Sequence, residues 1–272
     1  MKIFISADMD GCAGVAVPRQ CDMDNPDYEL ARRLMTDETN AAIAGAFDAG
    51  ATEVLVNDSH SMQINLLPNL MDPRAELILG RPKRGGMFAG LEADHAGVMC
   101  IGYHSGASQH GVLAHTVDGA VYAAIRVNGI DCAEATLYGG YAGSLGVPII
   151  LLAGDDQLKR QCEPQFPGVR CVVVKHALGN RAARSLAPEV ACARIRAAAA
   201  DAVRNRAAIK PLVIPGPYRV EMDLMGVVLA DVVMNIPMAE RVGPRTVALP
   251  ADTMAGVIGW VGAVNAMSAT LK

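Results

Sequence analysis

The sequence predicts an α/β fold, in which a mostly parallel sheet is flanked by helices, with a second, smaller α+β domain. Before residue 187, short apolar runs rich in β-branched residues alternate with longer segments of helical periodicity. A strand, a helix and a second strand in that order form a right-handed crossover between parallel strands. After residue 187, an alanine-rich helix and proline-punctuated segments replace this alternation and indicate the second domain.

The first crossover unit lies at the N-terminus. Its strands are predicted at Ile3 to Ile5 and at Thr52 to Val56. Asn25 is a favourable N-cap, and Pro26 suits the first position of the helix between these strands. Gly50 suits the left-handed residue that follows a helix. The apolar face of this helix is predicted to contain Leu30, Leu34, Ile43, Ala46 and Phe47.

Later elements continue the alternation. Further strands of the sheet are predicted at Glu76 to Leu79, Val98 to Ile101, Val147 to Leu152 and Val169 to Val174. Asn128-Gly129 favours a primed turn, so Tyr122 to Val127 and Ile130 should form a hairpin. Asp131 is then expected to cap a helix that runs to about Leu145. The second domain is predicted to contain a helix over 188–207, a strand from Tyr218 to Met222, a helix over 223–234, a strand from Thr246 to Leu249 and a final helix from Asp252.

The chain of 272 residues is long enough to bury a large core without disulfides. We expect residues 1–185 to form an α/β metal-binding catalytic domain and residues 186–272 to form the smaller α+β domain. The boundary is soft, because the hairpin at residues 120–131 is compatible with either domain.

Composition argues against several classes of function. A net charge of −4 without a basic block gives no reason to expect binding to nucleic acid or to an anionic membrane. We expect neither a secretory leader nor a membrane span, because no apolar run is expected to approach the ~18 residues that a span needs. The seven cysteines form no CxxC pair and indicate a reduced, cytoplasmic protein. The expected partner is therefore a small molecule.

Polar side chains follow three predicted strands at the points where the strands end. Asp8 and Asp10 follow the first strand, His60 follows the second, and His104 follows a later one. Open α/β sheets bind ligands beyond the carboxyl ends of their strands, so these four side chains should converge. Glu134, in the first turn of the helix after the hairpin, completes the hypothetical set.

Such a set of ligands needs cations. Three carboxylates about 5 Å apart repel one another by roughly 3 kcal/mol per pair at an effective dielectric constant of 20. One divalent cation leaves the set negative, whereas two leave a positive charge that a bridging hydroxide neutralises. Imidazoles and carboxylates without thiolate suit zinc, with manganese or another first-row metal as alternatives. Two metals about 3.5–4 Å apart would activate water and polarise a carbonyl, as peptide hydrolysis requires.

Other residues admit more than one interpretation. His115, in a Gly/Ser-rich segment over 105–119, is a candidate for proton transfer or oxyanion stabilisation. Glu134 is either a metal ligand or only a partner of the helix dipole. Asp58 either orients the His60 imidazole or belongs to a turn. A basic loop is either a solvated turn or an anchor for a substrate carboxylate, and its residues are Arg81-Pro82-Lys83-Arg84-Gly85-Gly86.

Several short motifs, in their order and spacing, resemble those of the D-aminopeptidase family. The resemblance runs from Met1 to roughly Ala187. The motifs are Ser6-Ala7-Asp8-Met9-Asp10-Gly11, Asn57-Asp58-Ser59-His60, Gly102-Tyr103-His104, Ala114-His115 and Ala153-Gly154-Asp155-Asp156.

The resemblance implies a di-zinc peptidase with an N-terminal α/β domain, a smaller α+β domain and ring assemblies of ten subunits. It implies that Asp8 bridges both metals and that His115 is the catalytic histidine. It assigns the other positions of the two coordination shells to Asp10, His60, His104 and Glu134. The family pattern has Glu where this chain has Asp10, whose side chain is shorter by one methylene.

We therefore expect a metal-dependent aminopeptidase with two zinc ions per subunit. Its substrates should be short peptides, and the resemblance implies D-amino acids, as in D-Ala-D-Ala. In this hypothesis the metals hold the amine and the scissile carbonyl, activated water attacks, and His115 supports the intermediate or the leaving amine. Two alternatives are a related di-metal amidohydrolase acting on γ-D-glutamyl linkages of muropeptides and a catalytically impaired peptide-binding protein.

Overall fold

The computed structural model of the protein describes residues 1–271. The strands, in chain order, are β1 (Lys2–Ala7), β2 (Glu53–Asp58), β3 (Ala75–Ile78), β4 (His95–Tyr103), β5 (Tyr122–Val127), β6 (Ile130–Asp131), β7 (Ile149–Asp155), β8 (Arg170–Gly179), β9 (Ala182–Ser185), β10 (Tyr218–Leu224), β11 (Glu240–Arg241) and β12 (Thr246–Ala251). The α-helices are α1 (Tyr28–Asp48), α2 (Glu134–Ser144), α3 (Asp156–Cys162), α4 (Pro188–Asn205), α5 (Val227–Val233) and α6 (Met254–Ser268).

The larger sheet, sheet A, has seven strands in the order β3-β2-β1-β4-β7-β8-β9. Its neighbouring strands are parallel except for β8 and β9, which pair antiparallel at one edge. β1 lies inside the sheet, between β2 and β4. The predicted α/β fold with a mostly parallel sheet is therefore confirmed.

Sheet A separates two hydrophobic cores, because successive side chains of a strand point to opposite faces. Ile3 and Ile5 of β1 belong to a cluster that also contains Leu34 of α1 and Ile195 of α4. Phe4 belongs to a second cluster, which includes side chains of α2, α6 and the smaller sheet. Burial on both faces explains why β1 is apolar throughout its central residues.

The smaller sheet, sheet B, is antiparallel, with the strand order β11-β12-β10-β5-β6. The hairpin at residues 120–131 pairs with β10 and so joins the sheet of the C-terminal strands. Asn128 and Gly129 have φ values of 51° and 80°, which agree with the predicted primed turn. Helix α4 packs against α1 and β8 of the larger sheet. The division of the chain at residue 185 stays a prediction.

Some local predictions are wrong. Leu30 is 58% exposed, because it lies beside the buried stripe of α1, which begins at Tyr28 and not at Pro26. Asp131 does not cap α2, since the hairpin ladder extends beyond the turn and pairs Asp131 with Arg126. Strand β10 continues to residue 224, so α5 is shorter than the helix predicted over 223–234. Periodicity also does not predict β9 or α3.

The segment Met254–Leu271, which contains α6, is long and apolar enough to cross a membrane by length and composition alone. Its mean hydropathy is 1.4, so the expectation that no apolar run approaches this length is wrong. Val257, Val261 and Val264 on one side of α6 pack into the core beside sheet B. The core helix of a folded domain can pass the same test of length and composition. In this segment, 33% of the 18-residue window is buried inside the structure.

Candidate metal centre

Neighbouring strands of sheet A bring four of the predicted site residues to one edge. Asp8 directly follows β1, and Asp10 follows two residues later. His60 lies two residues beyond β2, and His104 directly follows β4. Because β1 pairs in parallel with both β2 and β4, these strand ends lie side by side. The predicted convergence at the carboxyl edge is therefore found.

Two glycines allow the ends of β1 and β4 to approach each other closely. The backbone N–H of Gly11 donates to the carbonyl of Gly102 at 2.7 Å. A Cβ atom at residue 11 would lie 1.9 Å from the carbonyl oxygen of Tyr103. At residue 102, where φ is +70°, a Cβ atom would lie 2.0 Å from the carbonyl oxygen of Asp8. A side chain at either position would push apart the strand ends that carry Asp8 and His104.

Glu134 and His115 reach the same place from outside the parallel strands. Glu134 is the first residue of α2, and its Oε1 accepts a hydrogen bond of 2.8 Å from the backbone N–H of Val117. This bond fixes the loop that carries His115, whose Nε2 lies 3.8 Å from Glu134 Oε1. The rings of His115 and His104 are stacked, with 4.3 Å between their centroids. All six predicted site residues thus lie together.

The potential ligand atoms of the described residues form three overlapping groups, within each of which they lie no more than 4.8 Å apart. One of these, Asp10, His104 and His115, shares a member with each of the other two. The inner group consists of Asp8, His104 and Glu134, and the outer group of Asp10, Cys21 and His60. In the inner group, His104 Nε2 lies 3.5 Å from Asp8 Oδ2 and 3.4 Å from Glu134 Oε2. His60 Nδ1 lies 2.9 Å from Asp8 Oδ1 and 3.1 Å from Asp10 Oδ2. Asp8 therefore contacts both groups, with one oxygen toward each.

Cys21 is a member of the outer group that sequence reasoning missed. Its Sγ donates to Asp10 Oδ1 at 3.1 Å. Burial and the adjacent Asp10 carboxylate raise the pKa of this thiol, which is therefore protonated while no cation is bound. The signal was weak, because Cys21 lies 11 residues beyond Asp10 with no recognisable ligand spacing.

Backbone carbonyls fix the orientation of two imidazoles. His104 Nδ1 lies 2.9 Å from the carbonyl oxygen of Ser105, and His115 Nδ1 lies 2.8 Å from that of Leu113. A carbonyl oxygen only accepts hydrogen bonds, so Nδ1 carries the hydrogen in both rings. In the neutral imidazole the lone pair is then on Nε2, the atom that faces the cluster.

Burial and charge determine the protonation of the cluster in the absence of a cation. Burial raises the pKa of Asp8 and Asp10, but the neighbouring imidazoles outweigh it and hold both pKa values well below the usual range. Burial lowers the pKa of His104, but Glu134 and Asp8 outweigh this and raise it to about 10. The carboxylates likewise raise the pKa of His60 against its burial. Burial raises the pKa of Glu134. The carboxylates thus hold protons on imidazoles where a cation could bind instead.

The residues fit a transition-metal site. Within residues 1–271, the buried atoms without a hydrogen-bond partner include His60 Nε2, His104 Nε2 and Glu134 Oε2. Each buried polar atom without a partner lowers the stability of the fold by roughly 1–3 kcal/mol, so three in the side chains of one cluster indicate a missing ligand. Imidazole nitrogens combined with carboxylate oxygens suit zinc and other first-row metals.

The cluster opens into a cleft of about 1150 Å³. The basic loop, residues 81–86, forms part of its wall. Another part is the face of α6 that carries Gly256, Gly259 and Gly262. A Cβ atom at Gly259 or Gly262 would meet no atom within 4 Å, so this face of α6 is open to a ligand. The site residues that line the cleft are Asp8, Asp10, His60, His115 and Glu134.

A buried lysine, which sequence reasoning also missed, supports the loop that follows β1. Lys175 of β8 is fully buried, and its Nζ donates to the carbonyls of Asp10 at 2.5 Å, Cys12 at 3.1 Å and Val15 at 2.6 Å. All three N–H donors of the ammonium group are therefore used on one turn of chain. Lys175 fixes the path of the backbone between Asp10 and the loop toward Cys21.

Of the two roles that the sequence allows for Asp58, orienting the His60 imidazole or belonging to a turn, the structure shows the second. Its carboxylate accepts from the backbone N–H groups of Asn65 at 2.5 Å and Leu66 at 2.8 Å. It contacts the backbone N–H of His60 at 3.4 Å. Asp58 therefore holds the loop that follows β2, and it positions His60 through the backbone.

Three comparisons with known proteins point to the same family. The family model described as D-aminopeptidase matches residues 1–263. A D-aminopeptidase of Bacillus subtilis (strain 168) is 34% identical over 255 residues, which is 93% of each chain. The solved structure of the Zn-dependent D-aminopeptidase DppA from Bacillus subtilis, described as a self-compartmentalizing protease, matches with a TM-score of 0.95. That match covers 98% of this chain and 97% of the other, at 31% sequence identity.

Proposed function

Because this chain belongs to the D-aminopeptidase family, we propose that it is a zinc-dependent aminopeptidase that hydrolyses short peptides containing D-amino acids, such as D-Ala-D-Ala. The observation that carries the proposal is the buried cluster at the edge of sheet A, which opens into the cleft. Three of its polar atoms have no hydrogen-bond partner among the described residues. The Zn-dependent relative of known structure supports zinc as the metal.

Two cations per subunit fit the charge of the cluster. The inner group would hold one, and Asp10 with His60 of the outer group would hold the other, because one oxygen of Asp8 faces His60 and the other faces His104. A single divalent cation would leave three buried carboxylates with excess negative charge, which is unfavourable in a site of low dielectric constant. When bound, such cations supply Lewis acidity toward a scissile carbonyl and lower the pKa of water.

His115 is the proposed acid–base residue of this chain. Its Nδ1 hydrogen is fixed on the Leu113 carbonyl, so Nε2 is free to accept or return a proton inside the cleft. Its side chain is one quarter exposed, whereas that of His104 is fully buried. His115 can therefore exchange protons with the leaving amine, while His104 is confined to the metal centre.

The basic loop provides the proposed anchor for a substrate carboxylate. Lys83 Nζ donates to Asn57 Oδ1 at 2.7 Å and to the carbonyl of Asp58 at 2.8 Å, which leaves one of its three N–H donors for a ligand. The side chains of Arg81 and Arg84 add positive charge to the same wall of the cleft. A cationic wall near a metal centre suits peptides short enough to place their free C-terminal carboxylate there.

We also propose that the protein is cytoplasmic and forms a homo-oligomer, specifically a ring of ten subunits. The related structure is described as self-compartmentalizing, which supports assembly from copies of one chain. In this chain, large apolar side chains are exposed on and around α5. They are Met225, Val227, Val228, Met234, Met238 and Val242, and exposed apolar patches of this kind are typical of subunit interfaces.

The test is hydrolysis by the metal-free protein before and after zinc is added, read by release of free amine. The substrates are D-Ala-D-Ala, L-Ala-L-Ala and a γ-D-glutamyl dipeptide. Zinc-dependent cleavage of D-Ala-D-Ala with little cleavage of the other two is expected. Cleavage of only the γ-linked peptide would instead support the amidohydrolase alternative. Zinc binding without cleavage of any peptide would contradict the aminopeptidase function and would support the peptide-binding alternative.

A further inference from the structure

We propose that Cys21 is a ligand of the outer cation, together with Asp10 and His60. The proposal rests on the metal centre of the proposed function and adds a thiolate to a site otherwise made of imidazoles and carboxylates. Cys21 Sγ lies 3.1 Å from Asp10 Oδ1, and Asp10 Oδ2 lies 3.1 Å from His60 Nδ1. The ligand atoms of the three side chains all lie within 4.8 Å of one another.

These separations match a coordination sphere. With metal–sulfur bonds of about 2.3 Å and metal–oxygen or metal–nitrogen bonds of about 2.0–2.2 Å, ligand atoms in a tetrahedral site lie roughly 3–4 Å apart. Asp10 already spans the two other members, with one oxygen toward the thiol and one toward the imidazole. A cation among these atoms therefore needs only small rotations of the side chains to bind all three.

A second observation points independently to a ligand at this place. His60 is only 8% exposed, and its Nε2 has no hydrogen-bond partner among the described residues. Both nearby carboxylates, those of Asp8 and Asp10, lie at Nδ1, so they leave Nε2 unsatisfied. A buried ring nitrogen without a partner is costly unless a ligand binds it.

The loop that carries Cys21 is fixed by its own hydrogen bonds. Gln20 Oε1 accepts from the backbone N–H groups of Ala16 at 2.8 Å and Val17 at 3.1 Å, and its Nε2 donates to the carbonyl of Gly14 at 2.9 Å. Lys175 holds the preceding turn through three carbonyls. The thiol is thus placed beside Asp10 by the backbone, and the hydrogen bond between Cys21 and Asp10 is not needed to hold the loop.

Coordination by Cys21 needs no oxidant, reductant or other reactant. The S–H bond breaks, the proton passes to solvent, and a sulfur electron pair forms the bond to the cation. The outer cation then carries one more negative ligand, and a softer one, than the inner cation. This ligand favours zinc, cobalt or cadmium over magnesium or manganese at the outer position.

The test uses the metal-free full chain titrated with Co²⁺, because a thiolate ligand gives a near-ultraviolet sulfur-to-cobalt charge-transfer band. Wild type and the control variant Cys192→Ser should develop the band, since Cys192 is a half-buried cysteine in α4 outside the centre. Cys21→Ser should bind cobalt without the band. The same variant should also lose affinity at one zinc-binding step by at least about tenfold, measured by competition with a chelator.

Cobalt binding to wild type without the band, or a band that persists in Cys21→Ser, would overturn the role of Cys21 and leave the metal centre in place. No cobalt or zinc binding to wild type would instead overturn the proposed function as well. Circular dichroism and thermal unfolding of each variant monitor the fold. Cys21→Ala serves as a second variant if the serine hydroxyl itself binds the metal.

Discussion

The inner and outer groups of the metal centre differ in how the fold places them. Asp8, His104 and Glu134 of the inner group are 3%, 0% and 2% exposed, whereas His60 and Cys21 of the outer group are more accessible. The inner side chains start at the ends of two paired strands and at the first residue of a helix. The outer group depends on two loops. The register of sheet A therefore determines the inner position, and loop structure determines the outer one.

The supports of the two groups differ as well. In the inner group, hydrogen bonds to the backbone fix the side chains themselves, from Val117 to Glu134 and from His104 to Ser105. In the outer group, Lys175 fixes only the backbone of the turn after Asp10. The inner position should therefore retain its cation when loops are perturbed, and the outer position should not.

The largest expected effect comes from breaking the inner group. His104→Ala removes an imidazole that is fully buried between Asp8 and Glu134. Affinity for one of the two cations should fall by more than about 100-fold. Loss of a residue that only orients a metal ligand costs about 10–100-fold, so a larger loss is expected for a ligand itself. Turnover should fall to the level of the metal-free protein. Elemental analysis of the dialysed variant measures the loss, and retention of two equivalents would contradict the assignment of the inner group.

A second variant separates catalysis from metal binding. His115→Ala leaves both groups intact but removes the imidazole stacked on His104. Turnover should fall by roughly 10²–10⁴-fold, the usual contribution of a general acid or base. The metal content should equal that of wild type. Near wild-type turnover would remove His115 from the mechanism.

Lys175 tests the dependence of the outer group on its loop. Lys175→Met leaves three buried carbonyls without this donor, which should lower the free energy of unfolding by roughly 3 kcal/mol or more. Zinc affinity should weaken at one binding step only. Lys210→Met, at an exposed lysine, is the matched control. Denaturant unfolding and zinc titration measure the two effects, and equal weakening at both steps would contradict the comparison.

The smallest effect is expected outside both groups, at the substrate anchor. Burial lowers the pKa of Lys83 to about 8, so its positive charge is lost as the pH rises through that value. KM for D-Ala-D-Ala should therefore increase by about fivefold, equivalent to about 1 kcal/mol of a charge-assisted contact. KM for the amide of the same dipeptide should not change. Lys83→Arg keeps its charge, so its KM should stay constant over this range, and a wild-type KM independent of pH would exclude this anchor.

Strand patterns in the sequence predict the inner group because parallel strands have only one carboxyl edge. Asp8 and His104 are the first residues beyond their strands, and Glu134 begins a helix that the Asn128-Gly129 turn helps to locate. The turn also predicts the hairpin, but not its partner strand, since pairing with β10 depends on contacts far apart in the chain.

The outer group is only partly predictable. His60 follows a strand and is found by the same reasoning, but Cys21 lies in a loop whose path is set by Gln20 and Lys175. The hydrogen bonds of Gln20 and Lys175 correspond to no periodic pattern in the sequence, so they cannot be predicted from it. The sequence does not predict the role of Lys175, because the apolar run that predicts β8 ends at Val174 and the strand itself continues to Gly179. From the sequence alone, Lys175 is therefore the first residue after the strand.

The central claim is that one buried cluster holds two cations that share Asp8. Equilibrium dialysis of the metal-free protein against zinc, followed by elemental analysis, tests it most directly when wild type and Asp8→Asn are measured together. Wild type should bind two equivalents per subunit, and Asp8→Asn should bind both more weakly, since Asp8 faces both groups. Binding of one equivalent or fewer by wild type, or weakening of one step only in Asp8→Asn, would contradict the shared centre.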